Sequence, residues 1–338
     1  MSKINTNTLN TNINEIQFLT DIDKDSYALF GLDNTFCVFN SINNILYIIY
    51  TNINYSIISY NLIQNKKINE IKNAHNEDIT NFRHYFDNNN KIDLILSLSS
   101  VDNNIKIWNI NNWLCIINIK NINNDGILKS SCFLYDNNQI YIITSNSNTN
   151  NYAILEPIKI FDLNGNKIKE IKDSNDDTIF IDTYFNNNYI ITGNNGYIKS
   201  YNYNENNIYM KYEDYKNYTD HSSIIIQEDE GIIKMIESCG DGNIRIWNFH
   251  SGELLKKIKI SNGYLYGICL WNKDKIFVGC RDKKIKLVDL KNGIIEKEIE
   301  GHNKDVLTIK NIIHPQLEEC LISQGKYDSQ IKLWIIKK

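Results

Sequence analysis

Proline is almost missing from this chain, with 2 in 338 residues, and alanine is scarce. Proline-rich linkers and alanine-rich helices are therefore poor candidates for its organisation. No stretch approaches the roughly 18 continuous apolar residues of a membrane-spanning helix. Residues 1–14 are polar and carry no apolar signal-peptide core. The 7 cysteines are odd in number and form no C-x-x-C pair, which argues against disulfides and zinc and for a reducing compartment. His84, His250 and His314 have no neighbour at metal-ligand spacing. Acidic clusters at 173–177 and 228–230 lack the ordered pattern of a calcium loop. No metal and no cofactor are expected. With a net charge of −4 and no basic stripe, nucleic acid is not an expected partner. Neither a phosphate-cradling glycine loop nor a G-x-S-x-G elbow occurs.

What the chain has in quantity is asparagine and a recurring apolar strand. Runs such as Asn88-Asn89-Asn90 fall between strand-like segments, where Asn tolerates turn geometry. The strand recurs seven times. Its clearest copies are Asp102-Asn-Asn-Ile-Lys-Ile-Trp108, Asp241-Gly-Asn-Ile-Arg-Ile-Trp247 and Asp328-Ser-Gln-Ile-Lys-Leu-Trp334. A fourth ends at Val288-Asp289, and degenerate copies end at Tyr60-Asn61, Phe161-Asp162 and Tyr201-Asn202. Steps between copies run from about 40 to about 53 residues, the period of a four-stranded propeller blade. The fold expected is all-β: a seven-bladed β-propeller of four-stranded antiparallel blades.

In the last repeat, apolar strands at 306–311, 319–324 and 330–336 follow Gly301-His302, and the chain stops before a fourth. An open ring would expose a strand edge, so an N-terminal strand, residues 26–30, is expected to close it. The other blades then start near residues 35, 76, 125, 176, 220 and 263. An alternative register makes residues 33–40 a third strand and puts residues 15–20 in blade one. Blade three carries an insertion at 146–156, between its second and third strands. Residues 1–25 are read as a polar, partly disordered extension and 26–338 as the propeller.

These repeats resemble the WD-repeat (WD40) β-propeller family over about residues 26–336. In that family a His before the first strand, a Ser or Thr on the second, an Asp in the following turn and a Trp on the third bond to one another. The resemblance implies three such tetrads: His75, Ser97 or Ser99 (Ser99 is assigned), Asp102 and Trp108; His221, Ser238, Asp241 and Trp247; and His302, Ser323, Asp328 and Trp334. A buried indole N–H needs an acceptor, which the tetrad supplies. A His–Ser–Asp set could also suggest a nucleophilic triad, but its recurrence at repeat spacing marks a structural device. The terminal Trp-Asp of the family is Trp-Asn at Asn109 and Asn248, and Ile335 follows Trp334. Tyr60, Phe161 and Tyr201 replace Trp in blades one, three and four, which should lean more on apolar packing. The Trp-Asp-x-Arg motif of ubiquitin-ligase receptors and the paired arginines of phosphoinositide binders are missing.

Propeller geometry puts the loops entering first strands, and the turns between second and third strands, on one face. Asp78, Phe82, Tyr264, Tyr266, Arg281, Asp305 and Tyr327 are the candidates there for binding protein. The function expected is a non-catalytic scaffold or adaptor, monomeric within a hetero-complex of protein partners whose identity the sequence does not give. It is expected in the cytoplasm, with the nucleus as the other location. Rival readings are a nucleic-acid or histone recognition module and an enzyme using the central channel.

Overall fold

The computed structural model describes residues 15–23, 26–28, 34–120, 127–147, 155–184, 188–214, 219–328 and 330–337. Among them lie seven four-stranded antiparallel sheets, and six are contiguous in sequence. Blades one to six begin at Cys37, Ile79, Ile127, Thr178, His221 and Leu265, within a few residues of the expected starts. Cys37–Asn40 is the first strand of blade one, which settles the register ambiguity. The second and third strands of blade three, Gln139–Ser147 and Lys159–Phe161, flank the insertion, of which 148–154 lie outside the described residues.

Blade seven combines Val306–His314, Glu318–Gly325 and Ile331–Lys337 with an outermost strand from the N-terminus. The ring is therefore closed as expected, but by Glu15–Asp23 rather than by residues 26–30. These residues belong to the last blade, although they precede the boundary expected at residue 26. Phe18 lies opposite Trp334, their rings edge-on at 5.5 Å, and Ile22 joins the core beside Ile331 and Leu333. Ser26, Tyr27 and Ala28 instead bridge blades across the upper face. Ser26 pairs with Asn52, the Tyr27 N–H donates to the Thr51 carbonyl, and the Ala28 carbonyl accepts from the Tyr327 N–H. Leu29 and Phe30 lie outside the described residues. A second seal lies at the same seam, where the buried Thr35 hydroxyl donates to Gln324 Oε1 at 2.7 Å and meets the Thr308 hydroxyl at 2.8 Å.

The core is divided among the seams between neighbouring blades. One apolar cluster joins blades two and three through Leu96, Ile107, Leu128 and Ile142, and another joins six and seven through Phe277, Leu287, Val306 and Trp334. The middle strands of a blade, such as Leu46–Thr51 and Ile57–Asn61 in blade one, are buried throughout. Outer strands such as Leu114–Lys120 are mostly exposed, as period-2 alternation on a half-solvated sheet requires.

Asparagine has two jobs. Half of the 16 described non-glycine residues with positive φ are Asn, including Asn65, Asn103 and Asn206, the residue type best suited to that conformation after glycine. Asn also stands in for Asp after the repeat's aromatic residue. The side-chain oxygens of Asn61, Asn109, Asn202 and Asn248 accept backbone N–H groups from the turn between third and fourth strands, at 2.9–3.2 Å. Asp162 and Asp289 do the same in blades three and six. The amide oxygen suffices, so Trp-Asn performs the role of Trp-Asp. Blade seven has no such turn, because its fourth strand comes from the other end of the chain. Ile335 is free to be apolar there.

Candidate binding face and the polar networks beneath it

The tetrad of blade seven is complete. The Trp334 indole N–H donates to Ser323 Oγ at 2.8 Å, Ser323 Oγ meets His302 Nε2 at 2.7 Å, and His302 Nδ1 meets Asp328 Oδ2 at 3.0 Å. The Asn303 N–H donates to the same carboxylate oxygen at 3.1 Å. Burial pushes the Asp328 carboxyl up, but the hydrogen bonds from His302 and the Asn303 amide outweigh it and hold it below its ordinary value. Gly301 makes room: a Cβ there would lie 2.5 Å from the Trp334 ring, and its φ of +153° suits glycine.

Blade two repeats the relay through Ser97, not Ser99. Trp108 Nε1 donates to Ser97 Oγ and His75 Nε2 meets the same atom, both at 2.8 Å. His75 Nδ1 stands 3.9 Å from Asp102, beyond hydrogen-bond reach, while Asp102 accepts the Asn76 N–H at 2.8 Å. Burial, helped by Lys106, lowers the His75 imidazole to about 3. It is neutral at physiological pH. Ser99 is also buried, and its hydroxyl has no hydrogen-bond partner among the described residues.

Blade five departs. The position opposite Lys106 in blade two and Lys332 in blade seven holds the serine; in blade five the residue opposite Arg245 is Glu237. His221 Nδ1 meets Glu237 Oε2 at 3.0 Å. Arg245, fully buried, reaches Asp241 at 2.6 Å, Asp214 at 3.2 Å and Glu237 at 4.0 Å. Ser238, expected in the tetrad, points to the neighbouring blade and donates to the Tyr266 carbonyl. The spacing held the clue. Ser97 and Ser323 each precede their Trp by eleven residues, whereas Ser238 precedes Trp247 by nine.

His221, Glu237 and Cys239 present ligand atoms within 4.8 Å of one another. The set suits a metal ion poorly. The Arg245 guanidinium already supplies the positive charge beside Glu237.

Two degenerate blades use more than apolar packing. The Tyr201 hydroxyl donates to Asp176 at 3.0 Å, and Lys199 reaches the same carboxylate at 2.7 Å. The Tyr60 hydroxyl donates to Asn65 at 2.7 Å. A buried tyrosine brings a hydroxyl that needs a partner. Phe161 needs none and sits in the apolar seam.

Above the networks, most of the candidate binding residues form an arc over blades six, seven, one and two. Arg281, exposed, lies over the Tyr264 ring at 5.6 Å, and Tyr264 stacks on Tyr266 at 6.2 Å. The Tyr266 hydroxyl donates to Asp305 at 2.9 Å, and burial followed by this bond pushes its pKa up. The Asp305 carbonyl accepts the Lys326 N–H at 2.7 Å. Tyr327, half exposed, faces Tyr27 at 6.5 Å. Burial, and after it the charge of Asp78, pushes the Tyr27 hydroxyl above its ordinary pKa. Gly240 sets Tyr264, since a Cβ there would come 2.6 Å from the ring. Phe82 does not belong: it lies within the first strand of blade two and is 1% exposed in the seam with blade one. Tyr27 and Lys326, which the sequence did not single out, complete the arc.

No family model matches the chain. Over 69 residues it is 26% identical to the U3 small nucleolar RNA-associated protein 21 homolog of Schizosaccharomyces pombe, a match covering 20% of this chain and 8% of that protein. No helix among the described residues is long and apolar enough to cross a membrane. The ring of seven four-stranded blades makes the chain a seven-bladed β-propeller, and its two His–Ser–Trp relays and Asn caps are similar to those of WD-repeat propellers.

Proposed function

We propose that the protein is a non-catalytic scaffold that binds a segment of a partner protein along the upper-face arc and holds it within a larger assembly. The observation that carries this reading is the continuity of the arc. Arg281, Tyr264, Tyr266, Asp305, Tyr327 and Tyr27 follow one another around the rim, and aromatic and arginine side chains are favoured at binding hot spots. Against an enzyme reading, the His–Ser pairs of blades two and seven are buried, and each serine oxygen is occupied by an indole N–H. The test is affinity capture from source cells with quantitative mass spectrometry. A stoichiometric protein partner, lost in an Arg281→Ala/Tyr327→Ala variant of unchanged melting temperature, supports the reading. Capture that is indifferent to these changes refutes it.

The short match to a U3 small nucleolar RNA-associated protein supports a second reading, that the assembly is a nuclear ribonucleoprotein. Nuclease treatment before capture separates the two. A partner set that disperses with the RNA favours the second, and one that persists favours direct protein contact.

A further inference from the structure

On the upper face, between blades five and six, lies a cavity of about 550 Å³. Its lining is Lys259 at the end of the outer strand of blade five, the 260–263 linker, and Arg281, Asp282 and Lys286 of blade six. The linker is pinned. The Ile260 and Ser261 N–H groups both donate to the Gly242 carbonyl, at 2.9 and 3.2 Å, and the Gly263 N–H donates to Ser261 Oγ at 3.2 Å. Each cation of the pocket is anchored to this frame. The Lys259 ammonium donates to the carbonyl of Asp241, next to Gly242, at 2.8 Å, and Lys286 donates to the Ile260 carbonyl at 3.3 Å. The Arg281 stem lies along Gly263, where a Cβ would meet its carbons at 3.4–3.8 Å.

Charge is not balanced on this lining. Its carboxylate, Asp282, is held by Lys286 at 2.8 Å. Beyond the lining, Glu298 is shared by Lys284 at 2.7 Å and Lys286 at 3.3 Å, and Glu300 meets Lys284 at 3.2 Å. Asp305, the next carboxylate along the arc, accepts the Tyr266 hydroxyl at 2.9 Å. Lys259 and Arg281, both exposed, make no ion pair within 4 Å among the described residues. Two positive charges therefore remain on the lining, in a protein whose net charge is −4. The Tyr264 ring holds the Arg281 guanidinium by its face and leaves the N–H edges to bond a ligand. Such a planar fork matches a carboxylate. The flanking Asp282, Glu298 and Glu300 carboxylates repel a phosphate dianion about twice as strongly as a carboxylate, and a polyphosphate chain more strongly still.

We propose, on the reading that the arc is the docking surface, that this pocket is its anion-binding end and takes the carboxylate of a glutamate or aspartate in the partner segment. Arg281 bonds that carboxylate through its paired N–H groups, Lys259 supplies the second positive charge, and Lys286 stays with Asp282.

The probe is a rhodamine-labelled Gly-Ser decapeptide with Glu-Glu-Glu at its centre, compared with the same peptide carrying Gln-Gln-Gln, read by anisotropy on the full chain. The Glu peptide is expected to bind, more weakly as salt rises, and the Gln peptide is not. Arg281→Ala should weaken binding about ten-fold or more, and Lys259→Ala about three-fold or more. Arg281→Lys, which keeps the charge without the fork, should fall between wild type and Arg281→Ala. Lys256→Ala, on the same outer strand but outside the lining, should leave binding unchanged. Melting curves establish that each variant is folded. The proposal is overturned by equal binding of the Glu and Gln peptides, by no binding of the Glu peptide at low salt, or by binding that survives both alanine changes. A phosphoserine peptide that binds more tightly than the Glu peptide, or an oligouridylate that displaces it at equal concentration, would also overturn it by putting phosphate in the pocket. Capture of the cellular partner separates this failure from that of the scaffold reading. If the Glu peptide fails while capture still needs Arg281 and Tyr327, the carboxylate assignment falls and the scaffold stands. If the Glu peptide binds through Arg281 while capture ignores the arc, the pocket stands and the scaffold reading falls.

Discussion

Blades five and seven carry the same four residue types in the same order, His, Ser, Asp and Trp, and bury different chemistry. In blade seven a neutral serine relays between indole and imidazole. In blade five a carboxylate takes the serine's place opposite a buried guanidinium. One blade is held by hydrogen bonds between mostly uncharged groups and the other by paired charges. They should fail differently. A buried hydrogen bond costs roughly 1–3 kcal/mol when one partner is stranded, whereas a buried charge that loses its partner costs about 3–5 kcal/mol. The blades differ also in connectivity, since blade five is contiguous and blade seven borrows its outer strand from residue 15 onward.

The connectivity gives the largest expected effect. Deleting residues 1–23 strips the strand paired to Ile331–Lys337 and uncovers Trp334, so the whole ring should lose cooperative unfolding. Calorimetry of the truncated chain checks this. A transition matching that of the intact protein would mean blade seven does not need its closing strand.

Next comes the charge network. Arg245→Met should destabilise by about 3–5 kcal/mol through the uncompensated Glu237, measured by urea unfolding. The double variant Glu237→Gln/Arg245→Met should recover part of that loss, because it removes both charges. Strict additivity would show that the two side chains do not depend on each other. In blade seven, Ser323→Ala should cost about 1–3 kcal/mol, less than Arg245→Met. A reversed order would undo the contrast between the blades.

Acid sharpens the same contrast within the His relays. His75 is pushed down from 6.5 to about 3, so the unfolded chain takes up a proton that the folded chain refuses. Its contribution to stability is full above pH 6.5 and is lost progressively as pH falls towards 3. Asp328, held below its ordinary value, contributes above the usual carboxylate range and loses that contribution only as pH falls through its folded value. Unfolding measured at pH 7 and pH 4.5 should therefore show a loss in the wild type that is smaller in His75→Gln. An equal loss in both would remove His75 as its source.

Much of the ring was legible in the chain because period and turn chemistry agree. Strands of alternating or continuous apolar character lie between asparagine-rich turns, and blade starts follow from that. The register of single residues was not legible. Ser97 and Ser99 share one face of a strand, so alternation alone does not choose between them. Ser238 and Glu237 face opposite ways, and a turn shortened by one residue decides which turns inward. The closing strand escaped because bulges between Phe18 and Thr20 and between Asp21 and Asp23 break its two-residue period. Phe82 looked like a loop residue, but the first strand of blade two begins at Ile79 and draws it into the seam. The arc was legible only as a set of residue types on expected loops. Tyr27 joins it through the strand-to-ring crossing that the mistaken closing strand had hidden.

The smallest effects on stability belong to the upper face, and they bear most on function. Arg281→Ala and Tyr327→Ala should each leave stability within about 0.5 kcal/mol of wild type. Lys256→Ala, on the outer strand of blade five, is the matched control for binding. The most direct measurement is calorimetric titration of the captured partner into wild type, Lys256→Ala and the Arg281→Ala/Tyr327→Ala double variant. A scaffold that grips through the arc predicts a loss of at least about 2 kcal/mol, roughly thirtyfold, in the double variant alone. Full affinity in the double variant would contradict it.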